Sequence, residues 1–261
     1  MKLSLPKLLY RLYAQDLARE IAHGPVPKHI GLILDGNRRY GKQHGLKDAR
    51  ETYGAGADKL DELLDWCVEL GISAITLWIF STDNFARSAD ELSGLSAATE
   101  AKLQHLVADP RIHDRRIRVR AVGRLDLLPP PILAAVRAAE AATQDYADIQ
   151  LTLAAAYGGR EEIVDAAKAL LRDSVAAGKT LSEVADSLSA DAISRYLYAP
   201  DLPEPDLIIR TSGEIRLSGF MLWQSVYSEF YFTDVFWPAF RRVDFLRAIR
   251  AYQQRKRRFG R

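Results

Sequence analysis

His29-Ile30-Gly31-Leu32-Ile33-Leu34-Asp35-Gly36-Asn37-Arg38-Arg39-Tyr40 is the stretch whose reading sets the fold class. It is a short apolar strand that stops at Asp35 and passes into a glycine turn with two adjacent arginines. A carboxylate at the carboxyl end of a strand, beside backbone N–H groups and guanidinium, suits a phosphate-bearing ligand held with a metal. Mg²⁺ takes one or two carboxylate oxygens and fills its shell with phosphate oxygens and water. Arginine meets phosphate oxygens as a bidentate fork. A helix starting after the turn adds its positive end. The plainer alternative is a strand-end turn with a solvated basic face.

Outward from this strand, the chain alternates between two periods. Residues 53–70 carry helical spacing closed by Gly71, and residues 72–80 are a continuous apolar, β-branched run. Ser88-Ala89-Asp90-Glu91 is a capping box that opens the next helix. Residues 116–122 alternate as a strand, Pro129 to Pro131 start a helix, and residues 149–156 form another apolar strand. Residues 170–197 read as helices joined around Gly178. Strands at 206–209 and 230–232 and a basic helix from about Val243 follow. Strands alternating with helices predict one α/β domain, a central, mostly parallel six-stranded sheet flanked by helices on both faces. Asp35 and residues 81–87, 157–160 and 210–218 all fall just past carboxyl ends of strands, the edge where open α/β sheets bind ligands. Four polar clusters on one edge make scattered solvated loops a poor explanation.

The composition narrows the class further. Of 261 residues, 48% are hydrophobic and 27% charged, the balance of a globular protein, and a net charge of +2 supplies no field for nucleic acid. Cys67, the single cysteine, excludes an intramolecular disulfide and a cysteine-rich zinc site, and its helical setting makes it a small core residue. No apolar run reaches the length of a membrane span, and a cytoplasmic location is expected. Residues 1–27 read as an amphipathic helix and linker, docked on the domain or on a partner subunit; peripheral contact with the inner face of the plasma membrane stays open.

Several familiar patterns fail. Ala177-Gly178-Lys179-Thr180 looks like the end of a phosphate loop, but Asp173 stands where its first glycine is required and no strand precedes it. Gly54-Ala55-Gly56 lacks the third glycine of a dinucleotide fingerprint. No Asp-Asp pair is present, so the aspartate-rich motif of all-α prenyl synthases is missing, and the five histidines show no metal-ligand spacing.

Asp35-Gly36-Asn37-Arg38-Arg39, Phe80-Ser81-Thr82-Asp83-Asn84, Tyr157-Gly158-Gly159-Arg160 and Leu207-Ile208-Ile209-Arg210-Thr211-Ser212-Gly213-Glu214 closely resemble the ordered blocks of the cis-prenyltransferases, the undecaprenyl diphosphate synthase family. The likeness continues through Arg216, Ser218, Leu222-Trp223-Gln224 and Tyr227-Ser228-Glu229, and makes residues 28–261 the catalytic domain. It implies that the enzyme condenses isopentenyl diphosphate with an allylic diphosphate, that Mg²⁺ is held by Asp35 with help from Glu229, and that the chain is a homodimer. Gly36, Asn37, Arg38, Arg39 and Tyr40 would surround the allylic diphosphate, and Arg210, Arg216 and Ser218 the isopentenyl diphosphate. Asn84 would sit beside the reacting atoms and assist proton removal, with Ser81, Asp83, Phe85 and Arg87 around it. Three departures stand out: Tyr53 where many members carry histidine, the relaxed loop at residues 81–88, and Ala156 before the Tyr-Gly-Gly-Arg block.

The resemblance also implies a hydrophobic tunnel between sheet and helices. Trp78 and Ile79 occupy the strand position where a bulky residue closes its floor, which points to a short product, geranyl diphosphate to (2Z,6E)-farnesyl diphosphate, as in actinobacterial synthases. Gly94, Ala97, Ala98 and Ala101 point the other way, toward a wide tunnel and a long polyprenyl carrier lipid for the cell envelope. A relative joining two dimethylallyl units and a non-catalytic partner subunit are the remaining readings; retention of Asp35, Arg39, Arg210 and Arg216 argues against the last. The basic stretch Arg255-Lys256-Arg257-Arg258-Phe259-Gly260-Arg261 reads as a solvated tail or as an arm near the active site.

Overall fold

The computed structural model describes residues 5–255. In chain order, α1 (Leu5–Ile21) leads to β1 (His29–Ile33), α2 (Asn37–His44), α3 (Ala49–Glu69) and β2 (Ala74–Trp78). Next come α4 (Ala89–Ala108), α5 (Pro110–Asp114), β3 (Ile117–Val122), α6 (Pro130–Thr143) and β4 (Ile149–Ala154). The chain continues with α7 (Gly159–Ala176), α8 (Leu181–Ser187), α9 (Ala190–Ser194), β5 (Leu207–Arg210), β6 (Glu229–Phe232) and α10 (Arg242–Gln254).

The six strands form one sheet in the order β3-β4-β2-β1-β5-β6, and every pairing is parallel. The chain moves from β1 to β2 on one side and returns much later to lay β5 on the other. The carboxyl end of β1 is therefore the point where the winding reverses, and a crevice opens there. Alternation along the strands sends Ile30, Leu32, Ile75, Leu77, Leu151 and Leu153 into a large core with residues of α3, α4, α6 and α10. Ile33, Ala154 and Ile208 face the opposite side, against Tyr157, Phe220 and Met221.

The observed elements differ from the sequence reading mainly at their ends. β2 and β4 are shorter than their apolar runs, β5 is shifted by one residue, and β6 starts one residue earlier than expected, at Glu229. Helix α3 begins at Ala49 rather than Tyr53, since Asp48 caps it by accepting from the Glu51 amide at 2.6 Å. Ser88 caps α4 by accepting from the Glu91 amide, one half of the expected capping box, while the Glu91 carboxylate turns to Arg38 instead of the Ser88 amide. Helix α5, started by Pro110, was not read from the sequence. Helix α1 packs on α10, with Leu17 and Ile21 in the main core and Gln253 Nε2 donating to the Ile21 carbonyl at 3.0 Å. Residues 256–261 of the basic stretch lie outside the described residues.

The amino end of β1 is fastened by a buried imidazole. His29 Nδ1 lies 2.6 Å from the Pro203 carbonyl before β5, and Nε2 lies 2.8 Å from Thr76 Oγ1 on β2. Burial pushes the imidazole down to about 4, so the folded protein holds it neutral, donating at Nδ1 and accepting at Nε2. The unfolded chain takes up a proton near pH 6.5. This contribution to stability is therefore complete above that pH and is lost as pH falls from about 6.5 through about 4, to a total of about 3 kcal/mol. Chemical denaturation at each pH is expected to give the wild type a steeper acid loss over this window than His29→Gln. Parallel profiles would remove the imidazole from the acid response.

Candidate active site

The site begins where β1 ends. Gly36 has φ +103, a left-handed conformation that disfavours a side chain, and an added Cβ would also sit 2.8 Å from the Phe236 ring. The turn is held by Asn37 Nδ2, which donates to the Leu34 carbonyl at 2.9 Å, and helix α2 starts directly. Its first-turn amides lack intrahelical acceptors and carry the positive end of the helix dipole. Arg38 reaches Glu91 on α4 at 3.3 Å. Arg39 lies over the Phe236 ring, donates to Ser212 Oγ at 2.6 Å and lies 3.6 Å from Glu214.

Strand β5, beside β1, delivers the second set. Arg210 is 5% exposed; its Nε and Nη2 both donate to Asp35 Oδ2, at 2.9 and 2.6 Å. Its Nη1 donates to Ser218 Oγ at 2.8 Å and to the Arg216 carbonyl. One guanidinium thus fixes the β1 carboxylate and the loop after β5 together. Thr211 Oγ1 adds a bond to the Asp35 carbonyl at 2.7 Å. Ser212 (φ 78) and Ser218 (φ 52) are non-glycine residues in the left-handed region, strain of a kind concentrated at functional sites. Arg216 is 63% exposed and meets Glu214 Oε2 at 2.5 Å.

Strand β2 delivers the third. Asn84 Oδ1 accepts from the Ser81 amide at 3.0 Å, closing the short 3₁₀ turn Thr82–Ala86. Arg87 Nη1 donates to the Tyr53 hydroxyl at 2.9 Å. Burial raises the Tyr53 phenol, so at neutral pH it is a protonated hydrogen-bonding group that orients Arg87.

These pieces border one cavity of about 890 Å³. Its mouth is ionic: Arg38, Arg39, Lys42, Arg87, Arg210 and Arg216 outnumber Asp35, Asp83, Glu91 and Glu214. Its depth is apolar, with Leu77 and Ile79 from the β2 segment, Leu60 from α3, and Leu95, Leu103 and Leu106 from α4. Among the described residues Lys42 and Arg87 have no carboxylate partner, and no hydrogen bond reaches Asp35 Oδ1.

Most sequence-derived site residues come together here: Asp35, Gly36, Asn37, Arg38, Arg39, Tyr53, Ser81, Asp83, Asn84, Arg87, Arg210, Arg216 and Ser218 all border the cavity. Three do not. Tyr40 stacks on His44 at 3.9 Å along α2, and Phe85 packs on Phe80 at 5.0 Å. Glu229 starts β6 in register with Leu207, at the opposite end of the sheet from Asp35, and pairs with Arg255 at 2.6 Å. A parallel strand that begins at Glu229 cannot present it at the carboxyl edge, so within this chain it is not brought to Asp35.

Ile79 faces the cavity with the main core. Trp78 touches the cavity, yet its ring stacks on Phe220 at 5.4 Å among the residues of the other face. Of the small α4 residues only Ala98 borders the cavity. Gly94 instead lets α4 approach α3, since an added Cβ would lie 2.3 Å from that of Ala49. The Tyr157-Gly158-Gly159-Arg160 block is scaffolding: the Gly159 amide donates to the Gly219 carbonyl at 2.8 Å, and Tyr157 donates to Glu162 at 2.5 Å.

The sequence reading missed Lys42, Glu91, Glu214 and Lys102. Lys42 is one helical turn from Arg38, and Glu214 stands between Arg210 and Arg216, signals that spacing could have supplied. Asp61, His105 and Asp109 bring potential ligand atoms within 4.8 Å of one another, but Asp61 already holds Lys102 at 2.6 Å and Asp109 holds Arg111 at 2.7 Å.

Residues 33–260 match the family described as "Putative undecaprenyl diphosphate synthase". An isoprenyl transferase of Deinococcus radiodurans is 56% identical over 95% of this chain and 90% of its own length. A (2Z,6E)-farnesyl diphosphate synthase of Thermobifida fusca is 49% identical over 97% of each chain. The crystal structure of lavandulyl diphosphate synthase from Lavandula x intermedia in complex with dimethylallyl diphosphate superposes with a TM-score of 0.84 at 33% identity, covering 93% of this chain and 100% of that one. With that breadth of match, the chain belongs to the cis-prenyltransferase family and is a transferase of prenyl groups.

Gly159→Ala tests the scaffold. The new methyl would meet the Gly219 carbonyl at 2.4 Å and displace the loop that carries Ser218. A loss of about 1–3 kcal/mol in stability, accompanied by slower prenyl transfer, is expected from thermal unfolding and initial rates. Unchanged values in both would free the loop from this contact.

Proposed function

We propose that this enzyme condenses isopentenyl diphosphate with geranyl diphosphate to give (2Z,6E)-farnesyl diphosphate. The observation that carries the reading is the polarity gradient of the cavity: a cationic mouth for two diphosphates above an apolar depth for one hydrocarbon tail. The farnesyl-forming relative and the position of Ile79 in the cavity wall support the short product. The role of Gly94 in helix packing removes part of the case for a wide tunnel.

In the reaction the allylic C–O bond breaks and its electron pair leaves with diphosphate. The allylic carbon joins the terminal carbon of the isopentenyl double bond, and loss of a proton sets the new Z double bond. Arg39, Arg87, Lys42 and the first-turn amides of α2 stabilise the departing charge, preorganised donors aimed at charge that grows in the transition state. Arg216 and Ser218 hold the isopentenyl diphosphate. Arg210 positions Asp35 and Ser218 rather than contacting ligand first. Asn84, with its carbonyl committed to the Ser81 amide, offers Nδ2 as a donor beside the reacting atoms.

Asp35 fits the expected Mg²⁺, because its Oδ2 is taken by Arg210 while Oδ1 has no partner among the described residues, leaving one carboxylate oxygen to combine with phosphate oxygens. When bound, the ion supplies Lewis-acid stabilisation of the leaving diphosphate. A homodimer is part of the proposal: β6 is an edge strand whose Phe230 and Phe232 stack, half-buried, and the preceding loop exposes Val226. No helix among the described residues is long and apolar enough to cross a membrane.

The test is product analysis with Mg²⁺, isopentenyl diphosphate and dimethylallyl, geranyl or farnesyl diphosphate in turn. A single fifteen-carbon Z,E product from the geranyl primer is expected; a long ladder would assign a polyprenyl synthase, and no product with any primer would assign a partner subunit. Asp35→Asn is expected to lower turnover by about a hundredfold or more; near-normal turnover would remove the metal role. Ile79→Ala should lengthen the product, and an unchanged product would leave Ile79 as core packing alone.

A further inference from the structure

We infer that Trp78 is a positioning residue for the isopentenyl diphosphate subsite: through Phe220 it fixes the loop that carries Arg216 and Ser218. The inference rests on the prenyl-transfer reading above. In the sequence Trp78 stands beside Ile79 as a candidate tunnel floor, but the two side chains part at the strand. Trp78 is paired in register with Ile33 and Ala154, and it packs with them on the sheet face away from the main core. Ile79 packs with the main core. The ring of Trp78 therefore lies under the loop after β5 rather than ahead of a growing tail.

That loop needs holding. Ser218 (φ 52), Gly219 (φ 99) and Met221 (φ 47) all take the left-handed conformation. For the serine and the methionine this is a strained backbone, one that persists only where its surroundings over-determine it. On one side, Arg210 Nη1 donates to Ser218 Oγ at 2.8 Å, and the Gly159 amide holds the Gly219 carbonyl at 2.8 Å. Arg216 makes its ion pair with Glu214 of the same loop, so the place of the loop sets the place of both.

On the other side the anchor is Phe220. Its ring is fully buried and stacks on Trp78 at 5.4 Å, with planes 16° apart. Tyr157 meets both rings edge-on, at 6.4 Å from Trp78 and 6.2 Å from Phe220. Trp78 is fixed in turn, since its Nε1 donates to the Tyr157 carbonyl at 3.2 Å. Gly31 of β1 completes the seat: an added Cβ there would sit 2.9 Å from the Phe220 ring. Stacked and edge-to-face rings of this kind add to plain area burial. Ser218 and Phe220 share one tight turn, closed by the Phe220 amide on the Leu217 carbonyl at 3.0 Å, so a shift of the ring is passed to the serine. The end of β2 thus has two tasks on two faces. Ile79 lines the cavity, while Trp78 seats the loop for the acceptor diphosphate. A loop ordered in advance lowers the cost of binding, and the gain is read in affinity rather than in the chemical step.

Trp78→Leu and Phe220→Leu each keep an apolar side chain and remove the stack. Each is expected to weaken isopentenyl diphosphate by about three- to tenfold, the scale of one aromatic pair, both in KM and in equilibrium binding. Calorimetry measures the binding with geranyl or farnesyl thiolodiphosphate, which ionises slowly, in the other subsite. The KM for the allylic primer, kcat and product length should stay at wild-type values. Trp78→Phe, which retains a ring for the stack, should recover most of the affinity. The double Leu variant should be no worse than the poorer single one, because both remove the same contact. A general loss of structure would instead lower the active fraction and hence kcat, leaving KM unchanged. That result, or folded Leu variants with wild-type affinity, overturns the inference. So does a longer product at unchanged KM, which would make Trp78 a tunnel floor. If Trp78→Leu does not fold, Phe220→Leu carries the same expectation from the loop side. A wild type that binds no isopentenyl diphosphate under these conditions overturns the prenyl-transfer reading itself, and this inference with it.

Discussion

The bidentate contact of Arg210 with Asp35 is the constraint on which the rest of the site depends. It joins the ends of β1 and β5, the two strands on either side of the reversal in sheet order, and so fixes where the crevice opens. Because the same guanidinium also holds Ser218 and the Arg216 carbonyl, the loop after β5 is placed relative to the β1 carboxylate rather than independently of it. Removing one partner of such a buried pair leaves a charge without compensation, a penalty of about 3–5 kcal/mol where burial is complete. Asp35 is 38% exposed, so water offsets part of that. Breaking the pair is costly, but that cost does not measure what the pair adds to stability, and its role in the site is geometric.

Around that pair the ligand-binding edge divides its labour by distance from the chemistry. Arg39, Lys42 and Arg87 stand free of full carboxylate neutralisation at the mouth. Arg210, Asn84 and Tyr53 bond to other protein groups: Arg210 holds Asp35 and Ser218, Asn84 accepts from the Ser81 amide, and Tyr53 orients Arg87. Behind them, glycines permit close approach: Gly94 seats α4 on α3, and Gly159 lies under the loop that carries Ser218. The apolar wall between α3, α4 and β2 depends on the first of these approaches.

Much of this was legible in the sequence because strand-end punctuation is local. Apolar runs that stop at Asp35, Phe80 and Ile209 mark both the strands and the edge where the cavity opens. Direction was harder to read. Glu229 belongs to one of the blocks that carry the family resemblance, but its strand begins with it, and only the parallel register shows that it lies at the far edge. Likewise, whether Trp78 or Ile79 faces the tunnel depends on a single step of strand alternation. The small residues of α4 could not be sorted into tunnel wall and helix contact until α3 was placed against them. Lys102 on an otherwise apolar face carried a signal, but its partner is 41 positions away.

The parallel order of the sheet bears on when the enzyme acquires its activity. Asp35 and Arg210 are 175 positions apart, and β1 gains its β5 neighbour only after most of the chain has been made. Non-local pairings of this kind are slow to form because long loops must close before any contact rewards them. During synthesis on the ribosome the glycine turn and its arginines emerge early, but the carboxylate stays unanchored until β5 arrives. A growing or truncated chain therefore lacks a crevice able to ionise an allylic diphosphate, and reactivity switches on only as the sheet is completed.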